Sequence, residues 1–146
     1  NENPFDMEAT KLNLSKTAAK YTQSTISYIS VVGLKTAIQQ LLDIKISSIM
    51  KHSDKLAKIL FSMLEESDWK SFRPTTSNEF SSHIISLTHP CANTVKSTFD
   101  QLSKKGFIFG IRNGRLRISI SHYNNSTDIK YFGASLLRDL SSVSKV

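Results

Sequence analysis

The sequence predicts an α/β protein of the α+β kind, with a short, mostly antiparallel sheet packed with helices. Three observations lead there. Asn113-Gly114 stands between two runs that alternate in polarity, which marks a tight hairpin because a primed turn needs positive φ and Asn-Gly accepts it. Apolar residues recur at helical spacing both before and after that hairpin. Helical and strand segments are mixed along the chain, without the strict alternation of a parallel sheet.

Taken in order, residues 1–20 are polar and irregular, and residues 21–30 are rich in hydroxyls and read as a loop entering a helix. That helix is expected from about Ile29 to Asp43, where Val31, Leu34, Ala37, Ile38, Leu41 and Leu42 recur at helical spacing. Gly33 inside it costs propensity and is expected to mark close contact with another element. A second helix, from about Ile46 to Glu65, buries a stripe of Ile49, Leu56, Ile59, Leu60, Met63 and Leu64 and turns Lys51, Lys55 and Lys58 to solvent. Residues 67–82 form a connection or a short strand with loops, and His83 to Leu87 a short strand. Pro90 opens a helix from about Cys91 to Lys105, which Gly106 caps. Phe107–Ile111 and Leu116–Ile120 make the hairpin. The last helix begins near Asn125, an N-cap with Asp128 three residues on as an acidic capping-box variant, and ends near Leu140 before a Ser-rich tail.

A length of 146 residues fits one domain of ordinary size with a real core. Nineteen Lys and Arg against 12 Asp and Glu give a formal charge of +7, which attracts anions without selecting their class. The lysines are scattered and form no basic run. Cys91 is the single cysteine, so no internal disulfide forms and a reducing compartment is expected. No apolar run approaches a membrane span, and the polar start Asn1-Glu2-Asn3 shows no signal peptide. A cytoplasmic protein with no membrane partner is the expectation.

The chemistry concentrates on the hairpin's second strand. Period-two alternation puts Leu116, Ile118 and Ile120 on one face and Arg115, Arg117 and Ser119 on the other. A strand-borne guanidinium beside a packed face is placed to grip a carboxylate or phosphate with two hydrogen bonds, but the same pattern suits solvated charges on an edge hairpin. Elsewhere there is no P-loop, no dinucleotide fingerprint and no Gly-x-Ser-x-Gly elbow. His52, His83, His89 and His122 lack metal-ligand spacing with one another or with Cys91. Cys91 at a helix start is either a thiol with a lowered pKa or a small cap residue. His122-Tyr123 lacks an orienting third group. A rival from a different class is a basic winged helix, with Cys91–Lys105 as recognition helix and Lys96, Lys104, Lys105, Arg112, Arg115 and Arg117 facing nucleic-acid phosphates.

The run from Gly106 through Arg112, Asn113, Gly114, Arg115, Leu116, Arg117, Ile118 and Ser119, then Tyr123-Asn124 and Asp128-Ile129, resembles the C-terminal end of the class V aminotransferases. These are pyridoxal-phosphate enzymes that include cysteine desulfurases, selenocysteine lyases and isopenicillin-N-epimerase-like proteins. Ser24-Thr25 and Gly33-Leu34 stand at the separation at which that family carries Gly-Thr and then Gly-Leu at a helix start. The segment from Leu42 to Leu64, with His52 and Leu56, is similar to the family's second helix, so the resemblance covers nearly the whole chain.

The resemblance implies the small C-terminal domain of the fold type I pyridoxal-phosphate enzymes, with residues 1–45 as the end of a large domain plus a connecting helix and residues 46–146 as the small domain. It implies that Arg117 binds the α-carboxylate of an amino-acid substrate. It also implies that Thr25 reaches the phosphate of pyridoxal 5′-phosphate held by the neighbouring subunit of a homodimer, and that Arg112 shapes the substrate entrance. No specific nucleic-acid partner goes with this reading. The sequence departs from the pattern at Ser24, which replaces a glycine, and at Ile120-Ser121-His122, which replace Pro-His-aromatic. No cysteine lies between Gly106 and Arg117, so sulfur transfer through a protein persulfide is not expected. The Schiff-base lysine and the partner of the pyridine nitrogen, which that chemistry requires, fall upstream of the Thr25 position. A C-terminal piece of a longer enzyme, inactive alone, is therefore the expectation.

Overall fold

The computed structural model describes residues 14–21 and 26–138. The elements are a 3-10 turn at Ala18–Tyr21, helix α1 (Tyr28–Ile44), helix α2 (Ile46–Leu64), strand β1 (Lys70–Ser71), strand β2 (Ile84–Thr88), helix α3 (Ala92–Lys104), strands β3 (Gly110–Arg112) and β4 (Arg115–Ser119), and helix α4 (Ser126–Arg138). The chain divides after Asp43 into two units.

The first unit holds nearly all of α1. Its helical spacing is borne out, but none of its residues is buried, and Val31, Leu34, Ile38 and Leu42 lie exposed. The close contact expected at Gly33 is not found, since a Cβ built there meets nothing within 4 Å among the described residues.

The second unit is a two-layer α+β sandwich. Its sheet runs in the order β1-β2-β4-β3, and every neighbouring pair is antiparallel. Ile85 and Leu87 of β2 and Leu116 and Ile118 of β4 point into one core with Ile120 just beyond, packed against Leu56, Leu60 and Leu64 of α2, Val95 and Leu102 of α3, and Ile129, Phe132 and Leu136 of α4. The alternation read from residues 116–120 is thus the division between core and open face.

Local signals account for the helix ends. Asn125 caps α4 as expected: its Oδ1 accepts from the N–H groups of Thr127 (2.8 Å) and Asp128 (3.1 Å), while Asp128 Oδ2 accepts from the Asn125 N–H at 2.9 Å. Gly106, at φ 88°, ends α3 in a Schellman arrangement in which Phe107 N–H reaches Leu102 O at 3.1 Å. On α2 the three lysines are exposed as expected, but the buried stripe is Ser53, Leu56, Ala57, Leu60 and Leu64, which leaves Ile49, Ile59 and Met63 half-buried. Gly133 of α4 sits against α2 so closely that a Cβ would stand 2.9 Å from Met63 Sδ.

The largest departure from expectation is the first hairpin strand. Only Gly110–Arg112 pairs with β4, and Phe107 to Phe109 leave the sheet. Phe107 and Phe109 turn toward α4, each with its ring edge-on to Phe132, at 5.4 and 5.6 Å between centroids. Ile108 is left fully exposed. Aromatic packing on the helix takes precedence over strand pairing here. The predicted helix end near Leu140 and the Ser-rich tail lie outside the described residues.

Candidate functional site

Arg117 lies on β4, an inner strand, on the sheet face opposite the core that α2, α3 and α4 cover. Its partners in register are Ser86 on β2 and Gly110 on β3. The hairpin that holds it is set by Asn113 at φ 50° and Gly114 at φ 71°, the pair of positive values that a type I′ turn requires. Leu116 and Ile118 on either side are locked in the core, so the backbone beneath the guanidinium is fixed. The side chain is half-buried, and among the described residues it has no ion pair and no hydrogen bond.

The other two hairpin arginines are differently placed. Arg115 stacks on the Phe72 ring, with its guanidinium carbon 3.5 Å from the centroid. Arg112 is exposed and, among the described residues, makes only a long bond, 3.4 Å, to its neighbour's carbonyl at Ile111. The sequence pattern did not separate these three. Phe72, which does so in the structure, falls in a stretch that read as a connection or a short strand with loops, with no site role for its ring.

Arg117 and Arg112 line a cavity of about 710 Å³ that continues around the edge of β4 toward α4. Phe107, Phe109 and Ile120 give it an apolar wall, and Gly110, Ser119 and Tyr123 border it. Asp128 also lines it, but that carboxylate is engaged in capping α4. The cavity exists because residues 107–109 leave β4 beyond the Gly110–Arg117 pair. The Tyr123-Asn124 motif has a visible structural task beside it. Asn124 Oδ1 accepts from Ser121 N–H at 2.9 Å, and Asn124 O accepts from His52 Nε2 of α2 at 2.8 Å. The turn that carries Tyr123 to the cavity is therefore tied to the core layer.

The remaining candidates do not join this site. Thr25 lies outside the described residues. Cys91 stands exposed at the start of α3 and does not line the cavity. Its thiol is held below the ordinary range by the Thr94 hydroxyl, and then by the N–H groups of Thr94 and Asn93. His122 contacts Tyr123 edge-on at 5.4 Å between ring centroids and has no acidic partner among the described residues. No group of three or more metal-ligating side chains occurs among the described residues. No lysine among the described residues lines the cavity, so these residues do not by themselves make a site for pyridoxal phosphate, which needs an amine to bond its aldehyde. No helix among the described residues is long and apolar enough to cross a membrane.

The fold has known counterparts. A solved structure described as a NifS-like protein matches with a TM-score of 0.70 and 21% sequence identity, over 89% of this chain and 38% of that chain. The cysteine desulfurase CsdA from Escherichia coli, in an S-sulfonic acid form, matches with a TM-score of 0.66 and 19% identity, over 87% of this chain and 34% of that one. The chain is similar in fold to part of these proteins, and spans less than two-fifths of either neighbour's length. No protein-family model matches the chain, and no curated protein does. The α+β fold expected of the small domain of a fold type I pyridoxal-phosphate enzyme is borne out. The winged-helix reading is not favoured. Its supposed wing is built into a four-stranded sheet, with β4 paired on both sides and Arg115 laid on Phe72.

Proposed function

We propose that this chain is the carboxylate-binding C-terminal part of a pyridoxal-phosphate enzyme of the class V aminotransferase kind, acting on an amino acid. The observation that carries this reading is the Arg117 guanidinium: half-buried on a fixed strand, beside a cavity, with no acidic partner of its own among the described residues. A cation so placed is ready for a charge-assisted, two-pronged contact with a carboxylate. The fold neighbours support the choice of enzyme class, and they fit a lyase, an epimerase or an aminotransferase equally.

In this reading the chain's residues bind and orient the substrate. Arg117 fixes the α-carboxylate, while Phe107, Phe109 and Ile120 keep water from one side of it. Arg112 stands at the cavity mouth. When bound, the cofactor supplies the electron sink for bonds at the α-carbon. Thr25 is proposed to reach the cofactor phosphate of a neighbouring subunit in a homodimer. The catalytic lysine is proposed to lie in a preceding part of the polypeptide, so the chain alone would be inactive.

The test uses the longer polypeptide that this reading requires. Arg117→Lys should raise KM for the amino acid by at least about tenfold, because a point charge does not reproduce the paired contact. The absorbance of the bound cofactor should stay in place. An unchanged KM would count against the assigned role.

A further inference from the structure

Gly110 faces Arg117 across the hairpin, on the same side of the sheet, and nothing in the fold calls for a glycine there. Its φ is not in the left-handed region, unlike those of Gly106 and Gly114. A Cβ built on it meets nothing within 4 Å among the described residues. Close packing is therefore not the reason either, in contrast to Gly133 against Met63. Glycine inside a strand weakens it, since it adds backbone entropy and leaves its cross-strand partner nothing to pack on. A β-branched residue would suit this backbone better. Departures from local preference of this kind tend to fall at functional positions.

The empty volume has a definite place. Directly paired residues hold their Cβ atoms about 5 Å apart, so a side chain at position 110 would stand beside the Arg117 side chain. Both residues line the same cavity. Arg112, the next residue on that face of β3, is exposed at the cavity rim, and among the described residues its side chain does not come within 4 Å of a Cβ built at position 110.

We propose that Gly110 is the specificity-determining position of the Arg117 site. Its missing side chain leaves the room taken by the group attached to the bound carboxylate, so the site accepts carboxylates with a bulky substituent. This rests on Arg117 being the carboxylate receptor, and the experiment separates the two ideas. The Nε–H resonance of Arg117 is followed by NMR in the 146-residue chain during titration with sodium acetate and with sodium benzoate. The same titrations are made on Gly110→Val, Gly110→Ala and Arg117→Ala, and each variant's thermal unfolding is recorded.

Gly110→Val is expected to unfold at or above the temperature of the parent chain. It should keep acetate binding within a small factor and lose benzoate affinity by about tenfold or more, with Gly110→Ala between the two. A Gly110→Val variant that fails to fold, or unfolds much earlier, would show a structural glycine and overturn the proposal. Equal loss or equal retention of both anions would overturn it as well, while leaving Arg117 as receptor. If the parent chain shows no saturable shift with either anion, the carboxylate reading itself fails, and the Gly110 proposal with it.

Discussion

The two faces of β4 divide its five residues between opposite tasks. On the inner face Leu116 and Ile118 are sealed beneath three helices, and their contribution is stability. On the outer face Arg115, Arg117 and Ser119 stay outside that core. Within that face there is a second contrast. Arg115 is satisfied by the Phe72 ring, whereas Arg117, two residues on, has no acidic or aromatic partner among the described residues. A rigid inner face thus holds an outer cation in position without using up its charge, as a recognition site requires.

If that division is right, mutations on the two faces separate cleanly. Leu116→Ala should have the largest effect on folding, about 2–5 kcal/mol lost to burial and cavity terms, measured by urea denaturation. Arg115→Ala should cost about 0.5–1 kcal/mol through the lost ring contact and leave carboxylate binding close to that of the parent chain. Arg117→Ala should change stability by no more than about 0.5 kcal/mol yet remove carboxylate binding. A large stability loss in that variant would mean Arg117 is structural and would erase the contrast.

The smallest effect concerns a thiol outside the site. Alkylation of Cys91 by iodoacetamide should rise with pH about a midpoint below that of an ordinary thiol. The thiolate is the reactive form, and the Thr94 hydroxyl and nearby N–H groups favour it. Thr94→Val should move that midpoint upward, and alkylation should leave anion binding at Arg117 unchanged. Lost binding would place Cys91 nearer the cavity than the structure does.

Where a single local rule governs, the fold was legible in the sequence. Asn113-Gly114 sets the turn, residues 116–120 alternate between core and open face, and Asn125 with Asp128 caps α4. Legibility ended where tertiary packing overrides the local pattern. Phe107-Ile108-Phe109 reads as a strand, yet its two rings prefer the Phe132 ring of α4, and the cavity opens as a result. The buried Trp69, the Phe72 platform and the His52–Asn124 tie each join residues far apart in sequence, which a one-dimensional pattern does not carry. The sequence singled out Arg117, but its vacant neighbour at Gly110 became visible only through the β3–β4 register.

The central claim is that Arg117 offers an open guanidinium to an organic carboxylate. A crystal structure of the chain grown with benzoate tests it most directly. The account predicts both carboxylate oxygens about 2.7–2.9 Å from the Arg117 guanidinium nitrogens, with the ring over Gly110. Benzoate bound elsewhere, with Arg117 turned onto a carboxylate of the chain itself, would contradict it.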